Sequence, residues 1–194
     1  MAKVEEYDEH FHYVASAWLD FPLDRPNKGL EGLACIHRAE RTYLLGLCEG
    51  NRCRAGAAGR KPGGGRIQIF GKEQDRWDHV GTMRLPKTLW FEDYSSLAVV
   101  DDRIVAVVSQ ASSAAWVGRF SPSNWKVVDE GTIYRFPLDD RGKIIYGNIE
   151  GISGVDSERF VVVSDKAKVK MQSKRCCAKD RSIHVFRIPE SQRL

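Results

Sequence analysis

Asp93-Tyr94-Ser95-Ser96-Leu97-Ala98-Val99-Val100-Asp101-Asp102-Arg103-Ile104-Val105-Ala106-Val107-Val108-Ser109-Gln110 is the stretch that decides the fold of this 194-residue chain. Two short runs rich in Val, Ile and Ala, Ser96–Val100 and Arg103–Ser109, face each other across a turn centred on Asp101-Asp102. Short β-branched runs bounded by turn residues read as strands, and so tight a turn joins them as an antiparallel hairpin.

The same signature recurs outward in both directions. Thr42–Cys48, Arg66–Phe70, Ala115–Phe120, Arg159–Ser164 and Ser182–Ile188 are further strand candidates, and helical periodicity is almost absent. The predicted class is all-β. The strands also fall into three copies of one unit, with opening acids Glu31, Asp93 and Glu150 about 60 residues apart. After Glu31-Gly32-Leu33-Ala34 come Thr42–Glu49 and Arg66–Phe70; after Asp93 come Ile104–Gln110 and Trp116–Phe120; after Glu150-Gly151-Ile152-Ser153 come Phe160–Asp165 and Ser182–Phe186. A fourth strand follows in the first two copies, over Trp77–Leu85 and Trp125–Phe136, each ending at a proline.

His12–Phe21, ending at Pro22, resembles that fourth strand, and Phe21-Pro22-Leu23-Asp24 matches Phe136-Pro137-Leu138-Asp139 residue for residue. The expected architecture is therefore propeller-like, a partial ring of about three four-stranded antiparallel blades over 31–86, 93–137 and 150–189. Residues 12–22 form a stray outer strand, completing the last blade as propellers do when they close, within a single domain over 12–189. Residues 1–11 and 190–194 read as tails. Propellers usually have about four to eight blades. The favoured account of the shortfall is missing upstream blades; a homodimer completing a ring comes second, and a sandwich packing of the same strands stays open.

A hydrophobic content of 42% and a charged content of 29% suit a globular domain. No run approaches the roughly 20 apolar residues of a membrane span. Glu5, Glu6, Asp8 and Glu9 rule out a signal or transit peptide at this N-terminus, so the chain as written reads as cytoplasmic, and as exported if its true N-terminus lies upstream. In a reduced compartment Cys48 and Cys53 are expected to be free thiols, and an oxidising one would let them bridge. Cys35 reads as a small core residue, and no cysteine spacing suits zinc.

Antiparallel pairing brings the start of each first strand and the end of each second strand to one face. It places Glu31 with Glu49, Asp93 with Gln110, and Glu150 with Asp165 around a rim, with Lys166 adjacent. Oxygen donors in that arrangement suit a hard cation such as Ca²⁺, for which Glu31, Asp93, Glu150 and Asp165 are the candidate ligands. The competing account is architectural: an acid at a strand start accepts backbone N–H bonds from the neighbouring turn.

Two loops are basic, Arg52–Arg66 and Lys166–Arg181; both are expected to be solvated hairpin loops, with phosphate contact as the functional alternative. Neither holds an aromatic residue for stacking bases, so nucleic acid is the least favoured partner. No nucleophile elbow accompanies Ser95, Ser109 or Ser164, and no triad is legible among the histidines, so catalytic residues are unassigned.

Asn27-Lys28-Gly29-Leu30-Glu31-Gly32-Leu33, Phe91-Glu92-Asp93-Tyr94-Ser95-Ser96, Ile149-Glu150-Gly151-Ile152 and Val163-Ser164-Asp165-Lys166 resemble blade motifs of uncharacterised β-propeller proteins. That group is loosely related to the phytase-like and esterase-like propellers, and the similarity runs over roughly residues 12–189. Its members are longer at the N-terminus, so the resemblance implies a truncated member. The phytase-like branch implies rim carboxylates holding Ca²⁺ against a phosphate ester. The expected function is binding of a small molecule, cation or protein at the acidic rim, with a calcium-dependent phosphoesterase or esterase as the rival.

Overall fold

The computed structural model describes residues 2–22, 29–74, 76–121, 123–156, 158–166 and 179–188. Residues 167–178 of the second basic loop, with Cys176 and Cys177, and the tail 190–194 lie outside the described residues. The chain is all-β, with 58% of it in strands and 4% in helix. No helix among the described residues is long and apolar enough to cross a membrane.

Three sheets, antiparallel except where residues 18–20 meet residues 76–78, follow one another along the chain. The second, which grows from the hairpin turning at Asp101-Asp102, has β7 (Ser96–Val100), β8 (Ile104–Ser109) and β9 (Ala114–Ser121) in order. Its turn places Asp101 and Asp102 at φ 50° and 52°, a left-handed conformation that Asp tolerates better than most residues. The expected fourth strand is split into β10 (Lys126–Val127) and β11 (Thr132–Arg135), which both pair with β9. Between them Gly131, at φ 62°, packs against the Trp116 indole, whose Nε1 donates to Glu130 O at 2.9 Å.

The first sheet contains β3 (Leu30–Arg38), β4 (Arg41–Cys48), β5 (Arg66–Glu73) and β6 (Arg76–Arg84). The third contains β12 (Asn148–Asp156), β13 (Arg159–Asp165) and β14 (Ser182–Arg187). The strands read from sequence in each copy thus recur, but sheets of six, five and three strands replace three equal four-stranded units.

The N-terminus departs most from expectation. Residues Ala2–Tyr7 are not a tail but a strand, β1, hairpinned onto β2 (Tyr13–Asp20). Nor does β2 complete the last sheet. It lies parallel to β6, pairing Trp18 with Arg76, Leu19 with Trp77 and Asp20 with Asp78. The cause is burial: Ala17 and Leu19 sink onto Leu44, Phe70 and Trp77, with Val4, Phe21 and Leu30 packed around them. Burying a leucine side chain stabilises by roughly 2 kcal/mol, which an exposed edge would forgo.

Side-chain alternation shows how the sheets stack. Leu45, Leu47, Ile67 and Ile69 on one face of the first sheet meet Leu97, Val105, Val107 and Trp116 of the second. Ala98, Ala106, Val108 and Val117 on the second sheet's other face meet Ile152, Phe160 and Val162 of the third. Leu44 and Phe70 look the opposite way, towards the N-terminal hairpin. The leading strands of neighbouring sheets lie close together. Gly32 is needed there, since an added Cβ would sit 2.5 Å from Leu97 N. Ser95 Oγ donates to Ile149 O at 2.6 Å, and Ile152 N donates to Ser96 Oγ at 3.2 Å.

Candidate functional site

The ladders fix which rim residues are equivalent. Gly32 pairs with Leu47, Ser96 with Val108 and Gly151 with Val163. Each of those partners lies two residues before Glu49, Gln110 and Asp165 respectively, so these three side chains share one position at one end of the stacked sheets.

The opening acids are not equivalent in the same way. Glu31 and Glu150 are the extra residues of matching irregularities, between Leu30 and Gly32 and between Ile149 and Gly151. An inserted residue of this kind bends a strand and re-aims its side chain. Both glutamates are exposed. Counting back from Ser96, their place in the second sheet falls to Ser95, and Asp93 stands two residues earlier. The alignment of Asp93 with Glu31 is therefore corrected by register.

Asp93 is a fastener. Its Oδ1 accepts the Ser109 hydroxyl at 2.6 Å and the Ala111 N–H at 3.1 Å, closing the turn that follows β8. Glu49 is half-buried, and its carbonyl accepts the Tyr94 N–H at 2.8 Å, joining the first sheet to the second. Asp165 is exposed, and its Oδ1 accepts the Lys166 N–H at 2.6 Å. Gln110 keeps a buried Oε1 with no hydrogen-bond partner among the described residues. Among the described residues no group of three or more His, Cys, Asp or Glu side chains is placed to hold a metal ion.

Two of the three serines at this end have structural duties, whereas Ser164 Oγ is buried with no hydrogen-bond partner among the described residues. Ser109 Oγ, fully buried, also accepts the Ser112 N–H at 3.0 Å. Ser95 is spent on the Ile149 carbonyl. The histidines bond elsewhere: His12 to Asp8, His37 to Thr42, His79 to Gln68 and His184 to Ser182.

The Arg52–Arg66 loop exposes Arg52, Arg54, Arg60 and Lys61 to solvent, as expected, but it is not a simple hairpin. It winds through a 3₁₀ turn (Asn51–Cys53) and one helical turn, α1 (Gly56–Gly59), around a fully buried Asn51. Asn51 Nδ2 donates to the carbonyls of Phe91 at 2.8 Å and Gly59 at 3.1 Å, and Oδ1 accepts the Gly64 N–H at 3.0 Å and the Tyr94 hydroxyl at 3.2 Å. Burial pushes the Tyr94 hydroxyl well above the ordinary phenol range, even with Arg66 nearby pulling it down.

Cys48 and Cys53 form a disulfide that closes the base of this loop, which corrects the expectation of free thiols. Their β-strand and 3₁₀ placement brings the sulfurs together over Gln68, whose Nε2 stands 3.1 Å from Cys53 Sγ. Gln68 Oε1 in turn accepts the Thr82 hydroxyl at 2.7 Å and lies 2.8 Å from His79 Nε2. Cys35, read as a core residue, is exposed.

Asn51 and Gln68 went unnoticed in the sequence because an isolated amide carries no motif. A lone Asn among the glycines of a loop was the one available signal. Comparison with known proteins finds no matching family model and no significantly similar curated protein. The class defined by the fold is thus an all-β protein of three stacked sheets.

Proposed function

We propose that the three sheets are blades of a propeller-type arrangement and that the chain is a non-catalytic binding domain. Its rim takes a ligand that presents hydrogen-bond donors or positive charge: a small molecule, a cation or a protein segment. The observation that carries this reading is the register-equivalent placement of Glu49, Gln110 and Asp165 in adjacent sheets. Three acceptor-bearing side chains at one position of three sheets form an arc, and the buried, unpartnered Gln110 Oε1 at its middle calls for a donor.

The blade reading is supported by the adjacency of β3, β7 and β12, each an edge strand of its sheet, and by the face-to-face stacking of successive sheets. The Asp93–Ser109 bond weighs against hydrolysis, since it occupies the buried serine with no histidine as base.

The test uses the full chain with Ca²⁺ and, separately, with spermidine as probes, following the Gln110 side-chain amide by NMR. Binding is expected to shift that amide, and Gln110→Leu or Asp165→Asn to weaken it. A phosphate or acyl ester turned over in a manner that chelation and Glu150→Gln with Asp165→Asn abolish would replace this reading with the phosphoesterase one. An amide unmoved by either probe would remove the rim from consideration.

A further inference from the structure

The same end of the molecule carries a second, chemically opposite feature. Arg66 and Arg84 stand directly opposite each other in the β5–β6 ladder. Arg52 comes in from the disulfide-closed loop: its backbone N–H is bonded to Gly64 O, and its side chain lies over Gly64, where an added Cβ would meet Arg52 Cγ at 2.8 Å. Like charges directly opposite in a sheet are destabilising. Here a third is added.

No carboxylate offsets them. Arg52, Arg66 and Arg84, with Arg54, Arg60 and Lys61 of the same loop, make no ion pair among the described residues. Other basic side chains of the chain do find partners, as in Arg76 with Asp78, Arg119 with Asp129 and Arg159 with Asp156. Arg66 is half-buried and is held by its Nη1, which donates to Gly64 O at 3.1 Å and Gly65 O at 2.9 Å. Its remaining N–H groups, and the guanidinium groups of Arg52 and Arg84, have no acceptor among the described residues. Burial, then the charges of Arg84 and Arg52, lower the pKa of Arg66 against a smaller opposing effect of Tyr94.

The site is also pre-organised. Asn51, the disulfide and the Gly63 N–H bond to Leu89 O fix the loop that presents Arg52. We propose that Arg52, Arg66 and Arg84 bind the phosphate group of a small phosphorylated ligand. Planar guanidinium forks presented by neighbouring backbone positions suit the oxygens of a phosphate. Residues 50–66 contain no aromatic side chain on which a base would stack, which favours a small phosphorylated molecule over single-stranded nucleic acid. The proposal does not rest on the rim reading, because none of the three arginines belongs to that arc.

The experiment titrates the full chain with inorganic phosphate and with pyrophosphate at fixed ionic strength, by calorimetry and by melting temperature. Saturable binding is expected, weakened at least about tenfold by Arg84→Gln, equivalent to about 1.4 kcal/mol. Arg52→Gln is expected to act likewise. Arg103→Gln removes the same charge at an exposed turn outside this cluster and is expected to change nothing. Circular dichroism of each variant shows whether it is folded. Equal losses in Arg84→Gln and Arg103→Gln, or no saturation, would overturn the proposal. So would a short single-stranded oligonucleotide binding more tightly than pyrophosphate with a steep salt dependence. Loss of the Gln110 response with phosphate binding intact would sink the rim alone.

Discussion

The Tyr94 hydroxyl donates to Asn51 Oδ1 at 3.2 Å, and this bond joins the loop of the first sheet to the segment that leads into the second. Both side chains are buried, at 1% and 0% exposure, so neither has water to fall back on. Asn51→Ala would strand the Gly64 N–H and the carbonyls of Gly59 and Phe91 together with Tyr94. Leaving buried polar groups unmet costs about 1–3 kcal/mol each, so a net loss of about 3 kcal/mol is expected, or a melting temperature lower by about 6–12 °C. Tyr94→Phe keeps the ring and removes one bond, and is expected to cost about 1 kcal/mol. Thermal and urea unfolding of the two variants check the order.

The disulfide gives a chemical test. Among the described cysteines, Cys35 is expected to react with a thiol reagent in unreduced, denatured protein, and Cys48 and Cys53 only after reduction. The loop that the bridge closes is short, so chain entropy puts its contribution at about 2 kcal/mol. Cys53→Ser should lose that amount in urea unfolding and should no longer respond to reductant. Reaction of Cys48 or Cys53 without reduction would contradict the bridge.

The N-terminal hairpin is tested by two neighbours on opposite faces of β2. Leu19 is 2% exposed against Leu44, Phe70 and Trp77, whereas Trp18 is 54% exposed. Leu19→Ala is expected to cost about 3 kcal/mol, within the range for buried leucines, and Trp18→Ala about 0.5 kcal/mol or less. Urea midpoints decide it. Equal effects would mean that the hairpin is not a structural lid on the first sheet.

The contrast between these residues explains what the sequence revealed. Strands such as Ile104–Ser109 and Arg159–Asp165 were legible because a β-branched run between turn residues has one physical reading. β1 was not: Lys3-Val4-Glu5-Glu6-Tyr7 is mostly polar, and its lone inward Val4 looks like a tail until β2 is there to pair with it. The equivalence of Glu49, Gln110 and Asp165 was legible because it follows from the ends of regular strands. Glu31, Asp93 and Glu150 were matched by chemistry, and chemistry does not count residues. The irregularities at Glu31 and Glu150 shift the ladder in a way that only pairing partners reveal. The destination of β2 was hidden for a similar reason, since a two-residue alternation names a buried face without naming what covers it.

His184 supplies a pH dependence whose sign follows from its surroundings. It lies on β14 with its ring 4.7 Å from that of Tyr146 and its Nε2 2.6 Å from Ser182 Oγ. Burial, reinforced by the charge of Lys179, holds its pKa below the ordinary histidine value, against a weaker opposing backbone contact at Lys179. The folded state therefore takes up this proton less readily than the unfolded chain, whose histidine titrates near pH 6.5. Its contribution is fully present above that pH and is lost as pH falls from there through the lower, folded pKa. Wild-type protein should accordingly show a lower urea midpoint at about pH 5.5 than at about pH 8, and His184→Gln should narrow that difference. An unchanged difference in the variant would assign the acid sensitivity to other groups. A wider one would mean that the folded state favours the charged imidazole, opposite to what its burial beside Tyr146 and Lys179 requires.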